Sequence, residues 1–382
     1  MKIRVLASTK PDFILSKEEA LLYSGKSAGI CYEKTTLDDL WGEPEDTSTK
    51  RAKGCVKRGH HSVFGHIFYS LAFEGIPKIL AMLLNNEKVY CTSEKSARYT
   101  RMTPSEDEKP LYEKWINIYK EQILKVYPSF DEAYAEKLAQ ENARYLISIF
   151  TPATDMEYTC SLRQWNYIIY WAEQYIENAN DDIFDTKMKK VLTDFLAAIP
   201  DEIKIENLNT KEKNRSFSLF APRMREEYFG EVYCTNYKAT FSELAQAQRH
   251  KTLNYEMSWL SVPEFFVPPI IRGTYLEKEW LEDIKSLYKN VPQGMLINVC
   301  ERGTPDMLIL KAYERLCGAA QLEIALQTKA TIDKYMEATK DKYPEVYNEL
   351  LPYSKGARCT FPGFVCAKPC AFGGKNAFTR HV

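Results

Sequence analysis

A strongly polar segment, residues 201–215, divides the 382-residue chain into two stretches. Charged and amide side chains dominate this segment, and we interpret it as a linker, with a solvated helix face as the alternative. The order of predicted elements is similar on both sides. A chain of this length also exceeds what one hydrophobic core commonly supports. We therefore predict two lobes, residues 1–205 and 206–382.

Apolar spacing predicts a similar set of elements in each lobe. In the first lobe the pattern indicates a β-like opening and buried helix at 68–85, helices within 111–149 interrupted at Pro128, and two helices within 159–198. In the second it indicates a strand at 232–240, a helix at 241–255, a proline-bearing loop and a long helix at 305–336.

The composition argues against a protein that binds duplex nucleic acid or a membrane. Lys and Arg number 51 against 52 Asp and Glu, so no global basic field favours duplex nucleic acid or a membrane surface. The apolar runs are too short to span a bilayer. Ten cysteines without a secretion signal are typical of reduced thiols. We predict a soluble cytoplasmic protein with no duplex nucleic acid or membrane partner.

Three polar residues recur at helical spacing in the second lobe. Gln246, Arg249 and His250 lie at i, i+3 and i+4, so a continuous helix would present them on one face. Such a face is costly to bury unless it meets a polar ligand. A salt-bridged surface face is the alternative.

The first lobe contains a motif suited to binding phosphate. Ser96 and Arg98 are two residues apart, close to Glu94, and in an extended loop both would point the same way. A hydroxyl and a guanidinium together bind phosphate oxygens well. Taken alone, the motif is too common to be specific.

These motifs together resemble the flavin-dependent thymidylate synthases (the ThyX family). The family hallmark is RHR-x7-S-x-R, preceded by an H-x-[ST]-P-F-E-H segment. His60, Ser62 and His66 match the upstream segment, with Gly65 in place of its acidic residue. The first lobe keeps S-x-R, but Asn-Glu-Lys at 86–88 replaces the RHR triad.

The second lobe resembles the complementary part of the family pattern. Arg249, His250 and Lys251 match the triad with one change, and Gln246 falls at the family's helix glutamine. Arg315, followed by Ala-Gln-Leu-Glu-Ile at 320–324, matches the late R-x4-A-Q-x-E-I helix. The downstream S-x-R positions hold tryptophan and serine.

Two further arginines of the first lobe resemble family positions. Arg144 is similar to the second phosphate arginine, and Arg163 to the arginine of the N-x-R flavin contact, with Ser161 replacing the asparagine. In the family, the phosphate residues and the base-facing residues of one pocket come from different subunits. Here the first lobe keeps the phosphate-binding residues and the second lobe keeps the base-facing residues. Random loss of residues from two copies would not favour this division. The resemblance therefore implies a fused pair with a shared pocket, forming a homodimer that imitates the family tetramer.

The resemblance also implies a fold and a reaction. The expected fold is α+β, with two ThyX-like lobes in tandem, each a small, mostly antiparallel sheet with long helices. The expected reaction is reductive methylation of dUMP to dTMP, with FAD as cofactor and NADPH and methylenetetrahydrofolate as co-substrates. The implied roles are catalytic for Arg315 and Arg249; substrate-binding for Glu94, Ser96, Arg98, Arg144 and Gln246; and flavin-binding for His60, Ser62, Arg163, Arg249, His250 and Lys251.

Alternatives remain at this point. One alternative is a pocket for another pyrimidine nucleotide or for hydroxymethyl transfer. The others are a non-catalytic nucleotide-binding protein and a structural protein that inherited the fold. Separately, the tail offers zinc-type ligands, Cys359, Cys366, Cys370 and His381, at unusual spacing. A loop with reduced cysteines is the other interpretation of that tail.

Overall fold

A computed structural model describes residues 1–10, 15–96, 100–209 and 215–382. The chain forms two compact units. The described part of unit 1 comprises residues 1–10, 15–96, 152–209 and 215–217, and that of unit 2 comprises residues 100–151 and 218–382. Residues 100–151 thus pack with the second lobe, whereas the predicted division placed them in the first.

Unit 1 is built on a four-stranded antiparallel sheet with the order β1-β2-β4-β3. Its strands are β1 (Lys2–Ser8), β2 (Phe68–Pro77), β3 (Cys91–Glu94) and β4 (Pro152–Ser161). Its helices are α1 (Lys17–Tyr32), α2 (Leu37–Gly42), α3 (Glu45–Lys57), α4 (Lys78–Asn86), α7 (Leu162–Asn178) and α8 (Ile183–Ala198).

The core of unit 1 lies between the sheet and helix α7. Alternate residues of β2, such as Tyr69 and Phe73, are buried on one face, as a strand period of two requires. The Phe73 ring stacks on Trp165 with centroids 6.2 Å apart. The Trp165 Nε1–H donates to the Tyr69 carbonyl at 3.3 Å, which satisfies the buried indole.

Unit 2 has a second four-stranded antiparallel sheet, and its order, β5-β6-β8-β7, repeats the pattern of the first. Its strands are β5 (Tyr228–Phe229), β6 (Tyr233–Thr240), β7 (Asn254–Ser258) and β8 (Leu296–Gly303). Its helices are α5 (Lys109–Val126), α6 (Glu132–Ala143), α9 (Phe241–Ala247), α10 (Tyr275–Ser286), α11 (Pro305–Arg315), α12 (Leu322–Thr339) and α13 (Pro344–Ser354). The predicted α+β class is confirmed.

Helices α5 and α10 pack against each other inside unit 2. The Trp115 and Trp280 rings meet edge to face, with centroids 4.9 Å apart. Asp283 accepts hydrogen bonds from Lys114 Nζ at 2.6 Å and Trp115 Nε1 at 2.7 Å. This contact joins residues that are more than 160 positions apart in the chain.

Two helix predictions for the second lobe are wrong in extent. The helix predicted at 241–255 ends at Ala247, and Tyr255 lies in strand β7. The helix predicted at 305–336 is interrupted between α11 and α12 by residues 316–321. The short segment Cys317-Gly318 contributes to that break, because glycine is a poor helix former. None of the helices among the described residues is long and apolar enough to cross a membrane.

Candidate active site

Helix α9 positions the first group of candidate residues. The Thr240 hydroxyl caps the helix by accepting from the Glu243 N–H at 3.0 Å. After Ala247 the chain continues as a tight turn, in which the His250 N–H donates to the Ala247 carbonyl at 2.9 Å. This turn keeps His250 half-buried and leaves Arg249 exposed. The three residues expected on one helix face therefore differ in burial: Gln246 and His250 are half-buried, and Arg249 is exposed.

Arg315, the last residue of α11, contacts both Gln246 and His250. Its Nε–H donates to His250 Nε2 at 2.7 Å, and one terminal nitrogen donates to the Gln246 carbonyl at 3.1 Å. Burial, reinforced by the positive charge of Arg315, lowers the pKa of His250 to about 2. The imidazole is therefore neutral near pH 7, and Nε2 acts as the acceptor.

Gln321 joins residues from the two halves of the sequence within unit 2. Its side-chain oxygen accepts hydrogen bonds from an Arg144 terminal nitrogen and from Gln246 Nε2. Its Nε2 donates to the Tyr145 hydroxyl, which donates in turn to Glu323 at 2.8 Å. The structure thus brings Arg144 and Gln246 together at one oxygen of Gln321. The predicted pocket shared between the two lobes stays a prediction. Gln321 itself was not among the predicted site residues, although it lies in the matched A-Q-x-E-I motif.

Two buried polar atoms of this cluster have no hydrogen-bond partner among the described residues. They are Arg144 Nε and Gln246 Oε1. A buried polar atom without a partner costs roughly 1–3 kcal/mol. The cluster therefore contains one unsatisfied donor and one unsatisfied acceptor.

Unit 2 also contains a buried ion pair. Lys311 of α11 and Glu301 of β8 are both fully buried, with Nζ 2.6 Å from Oε2. Tyr233 and Tyr237 donate to the same carboxylate at 2.7 and 2.8 Å. The sequence analysis missed this pair. Its signal was present, because Lys311 and Glu301 interrupt otherwise apolar positions of a helix and a strand.

Other predicted residues of unit 1 are engaged within that unit. The Glu94 carboxylate accepts from Lys78 Nζ at 2.5 Å, and Ser96 is half-buried. The Tyr32 hydroxyl is hydrogen-bonded to His60 Nδ1. Arg163 Nε donates to the Tyr167 hydroxyl at 3.2 Å.

The remaining candidates for cofactor or substrate binding are exposed or lie outside the described residues. Ser62, Arg249 and Lys251 are exposed, so each is accessible to a ligand. Arg98, the second residue of the S-x-R motif, lies outside the described residues. Its predicted part in phosphate binding stays a prediction.

The tail does not form the predicted zinc site. No group of three or more His, Cys, Asp or Glu side chains suited to a metal occurs in the described chain, which includes all four tail candidates. Two of the thiols lie close to glycines: a Cβ at Gly318 would lie 2.5 Å from Cys370 Sγ, and one at Gly374 would lie 2.4 Å from Cys359 Sγ. Cys359, Cys366 and His381 are exposed, and Cys370 is half-buried. The interpretation as reduced cysteines in a loop-rich tail fits this packing.

Comparison with known proteins supports the sequence resemblance. Residues 16–183 match the model of the thymidylate synthase complementing protein family. The chain is similar to that family over this segment. The match covers much of the predicted first lobe, so the expected resemblance to flavin-dependent thymidylate synthases is confirmed there. None of the curated proteins compared with the chain matches it.

Solved structures of thymidylate synthase relatives also align with the chain. The flavin-dependent thymidylate synthase ThyX from Helicobacter pylori, complexed with FAD and dUMP, is 16% identical; the alignment covers 53% of this chain and 95% of that one, with a TM-score of 0.32. The UMP/dUMP methylase PolB from Streptomyces cacaoi, bound with 5-Br dUMP, is 13% identical; coverage is 52% and 88%, and the TM-score is 0.32.

Proposed function

We propose that the protein is a flavin-dependent enzyme that methylates dUMP to dTMP reductively, with methylenetetrahydrofolate as carbon donor and NADPH as reductant. The match of residues 16–183 to the thymidylate synthase complementing protein family supports the reaction class. The observation that carries the proposal is the meeting of Arg144 and Gln246 at one oxygen of Gln321. Arg144, from the group expected to bind phosphate, and Gln246, from the group expected to face the base, thereby share one cluster.

Arg315 and Arg249 are the proposed catalytic residues. Methylation at C5 of uracil requires that the ring carry extra electron density, and a fixed cation beside the developing enolate stabilises it. Arg315 is held by His250 and by the Gln246 carbonyl, so its guanidinium is fixed before substrate binds. Neutral His250 adds no competing positive charge. No protein nucleophile is needed in this scheme.

The proposed substrate contacts are distributed over both halves of the sequence. Arg144 and Gln246 offer the unsatisfied Nε and Oε1 to the nucleotide. Ser96 and Arg98 are proposed for the phosphate, since hydroxyl and guanidinium groups bind phosphate oxygens. Glu94, which is paired with Lys78, is proposed to order the start of that motif.

FAD is the proposed cofactor, and when bound it supplies the hydride. Arg249 and Lys251 are exposed cations next to neutral His250, a donor set that fits a diphosphate-bearing cofactor. His60, Ser62 and Arg163 are the other residues proposed to bind FAD. Lys251 provides a point charge where arginine would provide a planar fork, which would weaken that contact.

We propose further that the chain arose by duplication and acts as a cytoplasmic homodimer. The identical strand pattern of the two sheets supports a duplication, with a boundary near residue 205. With that boundary, residues 100–151 belong to the first copy by sequence but pack in unit 2.

An anaerobic assay tests the proposed reaction. Protein supplied with FAD is mixed with dUMP, NADPH and methylenetetrahydrofolate, and the nucleotide product is identified by mass spectrometry. We expect dTMP from the wild type, little from Arg315→Ala, and wild-type yield from the control Arg4→Ala, which removes an exposed arginine. Equal dTMP from Arg315→Ala and wild type would refute the role of Arg315. Absence of any methylated or hydroxymethylated pyrimidine from the wild type would refute the proposed activity.

A non-catalytic nucleotide-binding protein is the second candidate. The observation that favours it is the use of Ser161, at the position of the family's flavin-contacting asparagine, as the cap of α7; its hydroxyl accepts from the Gln164 N–H at 3.2 Å. Colourless protein that binds dUMP in a calorimeter and is not reconstituted by added FAD would favour this candidate.

A further inference from the structure

The segment that joins α11 to α12 connects two residues of the candidate site. It comprises residues 316–321 and runs from Arg315, the last residue of α11, to Gln321, which directly precedes α12. Because the segment lies between two helices, the hydrogen bonds of a continuous helix do not fix its path. The position of Gln321 beside Arg144 and Gln246 therefore depends on what else holds this segment.

One buried arginine from a distant part of the sequence contacts the segment. Arg380 is only 5% exposed, and it belongs to residues 361–382, which form no helix or strand. One of its terminal nitrogens donates to the carbonyl of Ala320, the residue before Gln321. The other donates to the Cys317 carbonyl at the longer distance of 3.5 Å. Arg380 thus contacts the main chain of the segment at two points.

The guanidinium of Arg380 is itself held in place. Its Nε donates to the main-chain oxygen of Val382 at 2.6 Å, and a terminal nitrogen donates to the Ala377 carbonyl at 2.6 Å. Its central carbon lies 5.2 Å from the centroid of the Phe372 ring. A planar guanidinium fixed in this way presents its remaining donors in one orientation. The segment 316–321 is therefore bonded to a rigid group.

The same part of the chain also packs beside the Gln321 side chain. A cavity of only about 10 Å³ is lined by Gln321 and Tyr145 together with His381 and Val382. This volume is about the space that a single water molecule needs. The residues next to Arg380 thus leave the Gln321 side chain little room to move away from the cluster.

We infer that Arg380 is a positioning residue for the candidate site: it holds residues 316–321 and through them keeps Gln321 between Arg144 and Gln246. Arg380 acts through main-chain carbonyls and does not bind the nucleotide itself. The inference rests on the proposed function, from which it takes dUMP as the ligand. A purely structural arginine would lower the stability of the protein when removed, but its effect on dUMP binding would not pass through Gln321.

Hydrogen–deuterium exchange and calorimetry on the full chain test the inference. Arg380→Met keeps a long apolar side chain and removes every donor. The amides of residues 316–321 should then exchange about tenfold faster or more, since the segment opens more often. The Kd for dUMP should rise by about tenfold. The double variant Arg380→Met/Gln321→Leu should bind dUMP within about threefold of Gln321→Leu alone, because both changes remove the same positioning.

Two further variants keep the test decisive. Arg225→Met removes a half-buried arginine of unit 2 that pairs with Glu256, and it should change neither the exchange of residues 316–321 nor the affinity for dUMP. Arg380→Lys replaces Arg380→Met if the latter does not fold. Its ammonium lacks the planar fork, so both effects should appear in the same direction at a smaller size.

The outcomes separate this inference from the proposed function. Equal exchange of residues 316–321 in Arg380→Met and wild type would overturn the inference, and this measurement needs no nucleotide. Equal dUMP affinity of these two proteins would also overturn it, as would additive losses in the double variant. Wild-type protein that does not bind dUMP would instead overturn the proposed function, and the exchange data would still decide whether Arg380 holds the segment.

Discussion

The Nε–H of Arg315 donates to Nε2 of His250 across 2.7 Å, which fixes both the tautomer and the charge of the imidazole. The proton of the neutral ring must lie on Nδ1. A protonated imidazole would place two donors against each other beside a cation. His250 therefore orients Arg315 and does not exchange protons near neutral pH.

This arrangement makes the protein sensitive to acid. His250 has a folded-state pKa of about 2 against an ordinary value of 6.5, so the unfolded chain binds its proton first. The stability that neutral His250 contributes is present above pH 6.5 and is lost as the pH falls toward 2. At pH 4.5 the loss should be roughly 1–3 kcal/mol. We expect His250→Gln, which cannot titrate, to show a smaller fall in Tm between pH 7.5 and 4.5. Parallel Tm curves for the two proteins would contradict this.

Glu243 should have the opposite pH dependence. Its pKa is raised from 4.5 to about 8 by burial, so the unfolded state releases the proton first as the pH rises. The contribution of the neutral carboxyl is complete below pH 4.5 and declines up to about pH 8. Glu243→Gln removes this decline. The Tm of the variant minus that of wild type should therefore grow between pH 5 and 8 and then stay constant. A difference that does not depend on pH would show that Glu243 is ionised in the folded protein.

Gln321 is expected to matter for both stability and dUMP binding. Gln321→Leu removes the acceptor shared by Arg144 and Gln246 and leaves two buried donors unsatisfied. The expected loss of stability is about 1–3 kcal/mol, measured by urea denaturation. The affinity for dUMP should fall by about tenfold, since Arg144 and Gln246 lose their common anchor. Gln327→Leu, in helix α12, which follows Gln321 directly, is the control and should leave dUMP affinity unchanged. Unaltered dUMP affinity in Gln321→Leu would remove the cluster from the substrate site.

The buried pair of Lys311 and Glu301 should show strong coupling. Lys311→Met leaves the Glu301 carboxylate buried without a cation and should destabilise the protein by about 3–5 kcal/mol. Combining it with Glu301→Gln removes the uncompensated charge, and the double variant should recover much of the loss. A double-mutant cycle in urea measures the coupling. Additive single effects would indicate that the two charges act independently.

The sequence was informative where local spacing controls the structure. The two helices predicted within 159–198 are α7 and α8, and the strand predicted at 232–240 is β6. The helix predicted from 241 was too long because the polar spacing continues past Ala247, whereas the backbone turns there. Strand pairing decided that boundary, since Tyr255 opposes Glu301 of β8, far along the chain.

The candidate site was predictable in part for the same reason. Spacing identified Gln246 and His250, and the family resemblance identified Arg315; hydrogen bonds connect Arg315 to both. Spacing could not identify Gln321 as the residue that joins Arg144 to Gln246, nor the pairing of Lys311 with Glu301. Both contacts arise from packing between segments that are far apart in the sequence. Local residue spacing does not predict which of these segments pack together.

The packing of α5 against α10 has a practical consequence for dissecting this protein. Cleavage at residue 205 would separate Trp115 from Trp280 and Lys114 from Asp283, the contacts that close the second core. Each fragment would then expose an aromatic surface, so the carboxyl-terminal half should not fold by itself. Mixing the two halves should restore a folded species only by complementation, with the helices from the first fragment completing the core of the second.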